Sequence, residues 1–281
     1  MRYVNKTMLA LSVLLLTGCG FIDLAYNNAA SFVASEFDDA FDLSQAQKDL
    51  LDARLQQFFS WHRTQELARY RQLLDQAALA AADGISASEV IALNQDIRLA
   101  WQRSLEKAID SLGDLAVTLT PDQIEQYQVY QHENSKDFED YLEMSQQQRD
   151  VYRVKRNFDR LEDWFGDFDD YLAQKVNARL ESLPDLYESR LRYREARHQA
   201  LIAALQNAPD GGISTQRLKA ILMDPSTDYA RAFEPARSAY WQAYAEALED
   251  ISSWVTDAHR QHVVARLQNY ARVVARLSAD S

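Results

Sequence analysis

The stretch WQAYAEALEDISSWV, residues 241–255, carries the most regular repeat in the sequence. Its large apolar residues recur at alternating spacings of three and four, the pattern of an α-helix with one buried face. The stripe consists of Trp241, Tyr244, Leu248, Ile251 and Val255, and it resumes at Val263, Leu267, Tyr270, Val274 and Leu277. The C-terminal part of the chain is therefore predicted to form long helices that pack through this stripe.

Helix-start signals divide the rest of the chain. A Ser or Thr followed three residues later by Gln or Glu is a capping box, which satisfies the first free amides of a helix. Such boxes occur at Ser44–Gln47, Ser86–Glu89, Thr120–Gln123 and Ser145–Gln148. The apolar stripe that follows Ser44 shifts its phase near Arg63-Thr64, where we expect a kink or a short break.

The composition favours helices throughout. Only seven Gly and five Pro occur in 281 residues, and 47% of the residues are apolar, so helices are rarely interrupted and the core has ample material. Strand patterns are essentially absent. We predict an all-α, elongated multi-helix bundle with Trp61, Trp101 and Trp241 in its core.

Several short landmarks recur in the same order, which suggests that residues 43–143 and 144–281 are duplicated helical halves. The pairs are Leu43-Ser44 with Met144-Ser145, Arg69-Tyr70-Arg71 with Arg192-Tyr193-Arg194, Gly84-Ile85-Ser86 with Gly212-Ile213-Ser214, and Trp101-Gln102 with Trp241-Gln242. The alternative is coincidence among capping boxes and arginine-rich helices, because the spacings between the landmarks differ.

Residues 1–18 have the layout of a secretory signal peptide. Arg2 and Lys6 precede the apolar run Met8–Leu16, which is too short to span a bilayer. Loss of the two basic residues takes the net charge from −12 to −14. This acidity disfavours nucleic acid as a partner and disfavours anionic lipid headgroups over the bulk surface.

The motif Leu16-Thr17-Gly18-Cys19 follows the apolar run, and it resembles the lipobox of bacterial lipoproteins. By that resemblance, cleavage falls between Gly18 and Cys19, and Cys19 carries acyl chains such as palmitate. A chance cysteine is the alternative, which the lack of any second cysteine disfavours. Gly20 stands where Asp would signal retention in the inner membrane, so the expected location is the periplasmic face of the outer membrane. Residues 19–42 are then the lipidated N-terminus and first helix.

A second resemblance extends over nearly the whole chain. It rests on Ala25-Tyr26-Asn27-Asn28 soon after the lipobox, Phe41-Asp42-Leu43-Ser44, Trp61-His62-Arg63 and Leu119-Thr120-Pro121-Asp122-Gln123. These motifs resemble a family of Gram-negative envelope lipoproteins known only as a domain of unknown function. The resemblance implies no activity, cofactor or catalytic residue.

The Leu-Ser/Thr-x-x-Gln strings at Leu43 and Leu119 also resemble the signature of small periplasmic helical chaperones. A capping box after an apolar residue produces the same string for structural reasons, and we favour that interpretation. The main functional hypothesis is a non-catalytic envelope protein that binds another envelope protein or stabilises an assembly. A chaperone-like cradle is the alternative, and an enzyme whose site is assembled only in the fold is the third.

The motifs that carry chemistry elsewhere are weak here. His259-x-x-His262 and Glu195-x-x-His198 have helical spacings that metals use, but neither has the further ligands that zinc or di-iron sites need. We therefore expect no metal, no cofactor and no catalytic residue.

An acidic and aromatic segment lies in the middle of the second half. A helix from Ser145 is predicted to run through Phe165 toward Leu183, which would place Asp163, Asp167 and Asp170 on one face. A cation or a basic partner would fit there, although a solvated face is the preferred interpretation.

Tyr26-Asn27-Asn28 is the remaining candidate site. Adjacent asparagines are unfavourable inside a helix and favour caps and turns. Either they cap the helix that starts at Ala29, which we favour, or they form a polar docking point for a partner close to the membrane.

Overall fold

The computed structural model describes residues 19–208 and 212–279. Helices account for 86% of these residues, and none of them forms a strand, so the prediction of an all-α multi-helix bundle is confirmed. The predicted signal peptide, with its cleavage after Gly18, lies outside the described residues. Among the described helices, none is long and apolar enough to cross a membrane.

The first half of the chain is built from helices of very different length. They are α1 (Cys19–Asn27), α2 (Ala29–Phe41), α3 (Gln45–Trp61), a π-helical turn (His62–Glu66), α4 (Leu67–Asp83), α5 (Ala87–Val117), α6 (Pro121–Glu133) and α7 (Lys136–Glu143). The second half consists of α8 (Gln146–Phe165), α9 (Asp170–Glu181), α10 (Tyr187–Gln206), α11 (Thr215–Leu222), α12 (Asp228–Trp254) and α13 (Asp257–Ala279).

All four predicted capping boxes form, at the starts of α3, α5, α6 and α8. Two of them also bind each other. Gln47 Nε2 donates to Gln123 Oε1 at 2.9 Å, and Gln123 Nε2 donates to Gln47 Oε1 at 2.8 Å. Both glutamines are buried, so the two Leu-Ser/Thr-x-x-Gln motifs join α3 to α6 inside the fold.

The helix predicted from Ser145 toward Leu183 is wrong, because it breaks after Phe165. Gly166 ends α8 with φ of 86°, a conformation that disfavours side chains. Asp169 then caps α9 by accepting a hydrogen bond from the Leu172 amide at 2.8 Å. Asp163, Asp167 and Asp170 therefore do not share a helix face.

Trp101 is also not a core residue, as its exposed fraction is 67%. The core side of α5 at this level is formed by Ala100 and Ser104, which are small enough to let neighbouring helices approach closely. The indole one position later lines an open groove instead. Trp61 and Trp241 are partly buried.

Each half contributes a helix that packs on the other half. α13, at the end of the second half, packs along α4 of the first, through Ala77, Ala78, Val263 and Leu267. In turn α6 packs on α10 of the second half, through a cluster that includes Tyr127. This reciprocal packing agrees with the proposed duplication, which stays a prediction.

Candidate functional site

The phase shift expected near Arg63-Thr64 is the π-helical turn between α3 and α4. Such turns insert one residue into an α-helix and frequently occur at functional sites. Thr64 Oγ1 donates to the carbonyls of Ser60 and Trp61, at 3.0 and 3.2 Å. The side chains of His62, Arg63 and Glu66, all within the turn, each bind different residues.

His62 links three helices by hydrogen bonds. Its Nδ1 lies 2.8 Å from the Tyr26 hydroxyl of α1, and its Nε2 lies 3.2 Å from the Tyr70 hydroxyl of α4. Tyr70 in turn lies 3.2 Å from Ser104 Oγ of α5. The chain of hydrogen bonds therefore runs from the helix that begins at Cys19 to the longest helix of the bundle.

Burial sets the protonation of this chain. It raises the pKa of Tyr26 to about 12, against the opposing charge of Arg63. It lowers the pKa of His62, although Glu66 acts in the opposite direction. The imidazole is therefore neutral at pH 7, with one nitrogen donating and the other accepting. The arrangement is suited to holding α1 in place.

Arg63 and Arg276 complete the attachment of α1. Arg63 donates to Asn27 Oδ1 at 2.8 Å and to the Leu277 carbonyl at 3.2 Å, and its guanidinium lies over the Tyr26 ring. Arg276 of α13 forms an ion pair with Asp23 at 2.7 Å. We call this set of contacts the anchor clasp; its members are Asp23, Tyr26, Asn27, His62, Arg63 and Arg276.

The clasp brings together two of the motifs noted in the sequence, since Tyr26 and Asn27 contact His62 and Arg63. Asn28 has a different role. It occupies the N-cap position of α2 but makes no side-chain capping bond there. Its Nδ2 donates instead to the Leu24 carbonyl at 2.7 Å, at the end of α1.

Glu66 is fully buried beneath the clasp. Burial would raise the pKa of its carboxyl, but hydrogen bonds and charges from Arg103 and Arg69 outweigh this effect and lower the pKa. Arg103 binds both carboxylate oxygens, at 3.0 and 2.9 Å, and Arg69 binds one at 2.6 Å. The ionised Glu66 thus ties the π-helical turn to α5.

In the two histidine motifs considered for metal binding, His259 and His198 contact other protein side chains. His259 takes the place of Gln in a capping box at the start of α13, with its Nδ1 2.9 Å from Thr256 Oγ1. His198 packs beside Tyr127, and burial together with Arg194 and Arg197 lowers its pKa to about 4. Within residues 19–208 and 212–279, no group of three His, Cys, Asp or Glu side chains is placed to hold a metal ion.

A second site lies between α8, α10 and α12, and the sequence motifs did not indicate it. It is a cavity of about 380 Å³ whose polar walls are Arg153, Arg156, Arg160, Arg190 and Arg237, with Asn157. Its other walls are largely aromatic, including Tyr187, Tyr240, Trp241 and Tyr244. We call this the arginine cavity.

The guanidinium groups differ in how they are satisfied. Arg153 is buried and binds Asp150 at 2.8 Å, but its Nε has no partner in the described part of the chain. Arg237 pairs with Glu234, and Arg156 donates to the Tyr187 hydroxyl at 2.6 Å. The guanidinium groups of Arg160 and Arg190 make no hydrogen bond or ion pair with any described residue.

The positive charges converge on the aromatic wall. Burial raises the pKa of Tyr187, and Arg156, Arg160 and Arg190 oppose that rise. Tyr240 has the same balance, with burial raising its pKa and Arg160 among the groups that oppose it. The cavity therefore concentrates positive potential in a chain with a strongly negative net charge.

A sequence signal for this cavity does exist. Arg149, Arg153, Arg156 and Arg160 recur at spacings of four, three and four along α8, which is the spacing of a buried stripe. Arg190, Arg194 and Arg197 repeat it on α10. Of the two stripes, the residues that line the cavity are Arg153, Arg156, Arg160 and Arg190. From the sequence alone, arginine-rich helices were considered only as a source of coincidental repeats, and no site was predicted from either stripe.

The sequence matches a family of unknown function, DUF6279, over residues 39–233. The chain belongs to this family. The matched residues include the π-helical turn with Glu66 and the cavity residues of α8 and α10. They do not include α1, which carries Asp23, Tyr26 and Asn27 of the anchor clasp. No curated protein and no solved structure matches the chain.

Proposed function

We propose that this DUF6279 protein is a lipid-anchored envelope protein, attached through Cys19 and facing the periplasm from the outer membrane. In this proposal its role is non-catalytic, namely the binding of another envelope protein or the stabilisation of an envelope assembly. The anchor clasp is the observation that supports it, because the helix that begins at the proposed lipid site is fastened to the bundle.

The clasp has a consequence for position. A flexible tether would let the domain move over a wide volume. α1 has nine residues and so spans about 14 Å. With α1 fixed against α13 and the π-helical turn, the bundle stays within about that distance of the lipid. Such a fixed attachment of α1 to the bundle suits a protein that presents one defined surface at the membrane.

The anchor is tested by Cys19→Ser in the full chain. The proposal predicts loss of palmitate labelling and an uncleaved or soluble exported form, while the unchanged protein is labelled and sediments with the outer membrane. Labelling of Cys19→Ser at the level of the unchanged protein would refute the assignment.

The partner is tested by crosslinking in intact cells. A photoreactive residue at exposed position Asn28, next to the clasp, is predicted to capture a defined envelope protein. The matched position is Lys155, equally exposed on α8. Capture of the same proteins from both positions would contradict a specific membrane-proximal partner.

One observation favours the chaperone-like alternative. An almost wholly apolar groove of about 580 Å³ lies between α4, α5 and α13, where Ile97 and Trp101 are 54% and 67% exposed. Exposed apolar surface of this kind often binds a partner. The Leu-Ser/Thr-x-x-Gln strings give it no support, because Gln47 and Gln123 are buried against each other.

The alternative has its own test. If the groove captures unfolded chains, Ile97→Ser with Trp101→Ser should abolish suppression of aggregation of a reduced, unfolded client. Equal suppression by this variant and by the unchanged protein would exclude the groove as the capture surface.

A further inference from the structure

We propose that the arginine cavity is a binding site for a small phosphomonoester whose phosphate is attached to a ring or an apolar body. This goes beyond the anchoring role and does not depend on it. The inference rests on three features of the cavity: its size, its arginine donors without an acceptor in the protein, and its aromatic walls.

The size fits a small ligand. Ligand sites usually enclose about 300–1,000 Å³, and this cavity of about 380 Å³ lies near the lower end of that range. It has room for a phosphate and one ring or short acyl segment. It is too small for a folded partner or a long chain.

The donors specify an anion. Guanidinium groups match the geometry of phosphate and carboxylate oxygens and bind them through paired hydrogen bonds. Arg160 of α8 and Arg190 of α10 both line the cavity, and their guanidinium groups have no hydrogen-bond acceptor among the described residues. Arg153 adds a buried Nε donor without a partner, and a bound anion would satisfy it.

The charge favours a phosphomonoester over a single carboxylate. A phosphomonoester carries about −1.5 to −2 charges at pH 7 and offers three strong acceptor oxygens. Two arginines without ion-pair partners match that charge more closely than they match one negative charge. Asn157 supplies a neutral amide that can donate to a remaining oxygen.

The aromatic walls specify the rest of the ligand. Tyr240 and Tyr244 stack with ring centroids 5.9 Å apart, and Trp241 meets Tyr244 edge to face. Inorganic phosphate would leave these faces unused, whereas a ring or acyl segment would cover them. The phosphate can come from a soluble metabolite or from a lipid headgroup, since both present the same chemistry.

The test uses the full chain purified in detergent and calorimetric titration with defined probes. Phenyl phosphate is the main probe, phenol is its uncharged match, and inorganic phosphate lacks the ring. Dihexanoyl phosphatidic acid, against dihexanoyl phosphatidylcholine, separates a lipid source from a soluble one. We expect phenyl phosphate or dihexanoyl phosphatidic acid to bind at least tenfold more tightly than its match.

Charge-matched double variants locate the binding. Arg160→Gln with Arg190→Gln removes two charges from the cavity, whereas Lys155→Gln with Arg192→Gln removes two from the same helices outside it, at exposed ion pairs. The first pair should weaken binding at least tenfold, and the second by less than twofold. All four side chains are exposed, so both variants should fold.

Asn157→Asp provides an independent check, because it places a negative charge in the wall and removes no arginine. It should weaken binding in the same direction as the cavity double variant. Absence of binding by both phosphomonoester probes, phenyl phosphate and dihexanoyl phosphatidic acid, would overturn the proposal, and so would equal weakening by the two double variants.

Discussion

Two glutamine side chains hold the junction between α3 and α6. Gln47 accepts from the Ser44 amide and donates to Gln123 and to the Thr118 carbonyl. Gln47→Ala would leave buried polar atoms without partners and remove half of a capping box, so it should lower the free energy of unfolding by about 2–3 kcal/mol. Urea unfolding followed by circular dichroism measures this change.

Gln148→Ala is the matched control, since Gln148 completes the same capping box at an exposed position. It should lower the free energy of unfolding by about 0.5–1 kcal/mol. Equal losses in the two variants would mean that the buried amide pair adds nothing beyond capping.

Two histidines make the stability depend on pH. Burial lowers the pKa of His62, and it lowers that of His198 to about 4 with help from two arginines. Unfolded histidine titrates near 6.5. Below that pH the unfolded chain binds more protons than the folded one, so the free energy of unfolding falls as the pH is lowered.

Replacement of His198 should flatten that dependence. Between pH 6.5 and 5, His198→Gln is predicted to remove about 1–2 kcal/mol of the fall, after allowance for solvent screening. His132→Gln, at an exposed position, is the control for the loss of a histidine side chain. Denaturant unfolding at several pH values measures this dependence. If the free energy of unfolding of His198→Gln falls with pH as steeply as that of the unchanged protein, His198 is not a source of the pH dependence.

The sequence showed which residues cap helices, because a capping box is local. It did not show that Gln47 meets Gln123, or that Tyr26 meets His62, because these contacts join residues far apart in the chain. The arginines of the cavity were not predicted as a site for another reason. An arginine at helical spacing has the same pattern on a solvated face as in a pocket wall, and only the neighbouring helices distinguish the two.

The π-helical turn sets the register between α3 and α4. Deletion of Thr64 should convert it to regular α-helix and rotate the two apolar stripes by about 100° relative to each other. Either the clasp residues or the core residues of α4 would then be misplaced. We expect a melting temperature lower by at least 10 °C, measured by circular dichroism, with helicity at low temperature retained.

Thr64→Ala is the control for that deletion. It removes the hydroxyl bonds to Ser60 and Trp61 but keeps the inserted residue, so the melting temperature should fall by only about 2–4 °C. If the deletion is no more harmful than this substitution, the extra residue has no role in the register.

The length of a helix was predictable from the sequence where capping or stop signals mark both of its ends, and it was not predictable elsewhere. The break between α8 and α9 was missed because Phe165, Phe168 and Leu172 continue a helical spacing of three and four across it. All three nevertheless pack in one core cluster, to which α8 and α9 contribute as two separate helices. A single glycine inside such a pattern is a weak signal, and here Gly166 ends the helix.

The protein combines a strongly negative net charge, a first described helix held by the anchor clasp, and the arginine cavity. Without residues 1–18 its net charge is −14, so bulk attraction to anionic surfaces is unfavourable. In our two proposals, a lipid on Cys19 attaches the protein to the membrane, and the arginine cavity binds the anion. The helical class was predictable from composition, whereas the cavity required the packing of three helices.

The central claim is that the helical domain begins directly at a lipid-bearing Cys19. The most direct test is mass spectrometry of the N-terminal peptide of the protein extracted from membranes of a Gram-negative host. We predict a peptide that starts at Cys19 and carries a diacylglycerol thioether and an amide-linked acyl chain. An unmodified Cys19 within a peptide that still contains Thr17 and Gly18 would contradict it.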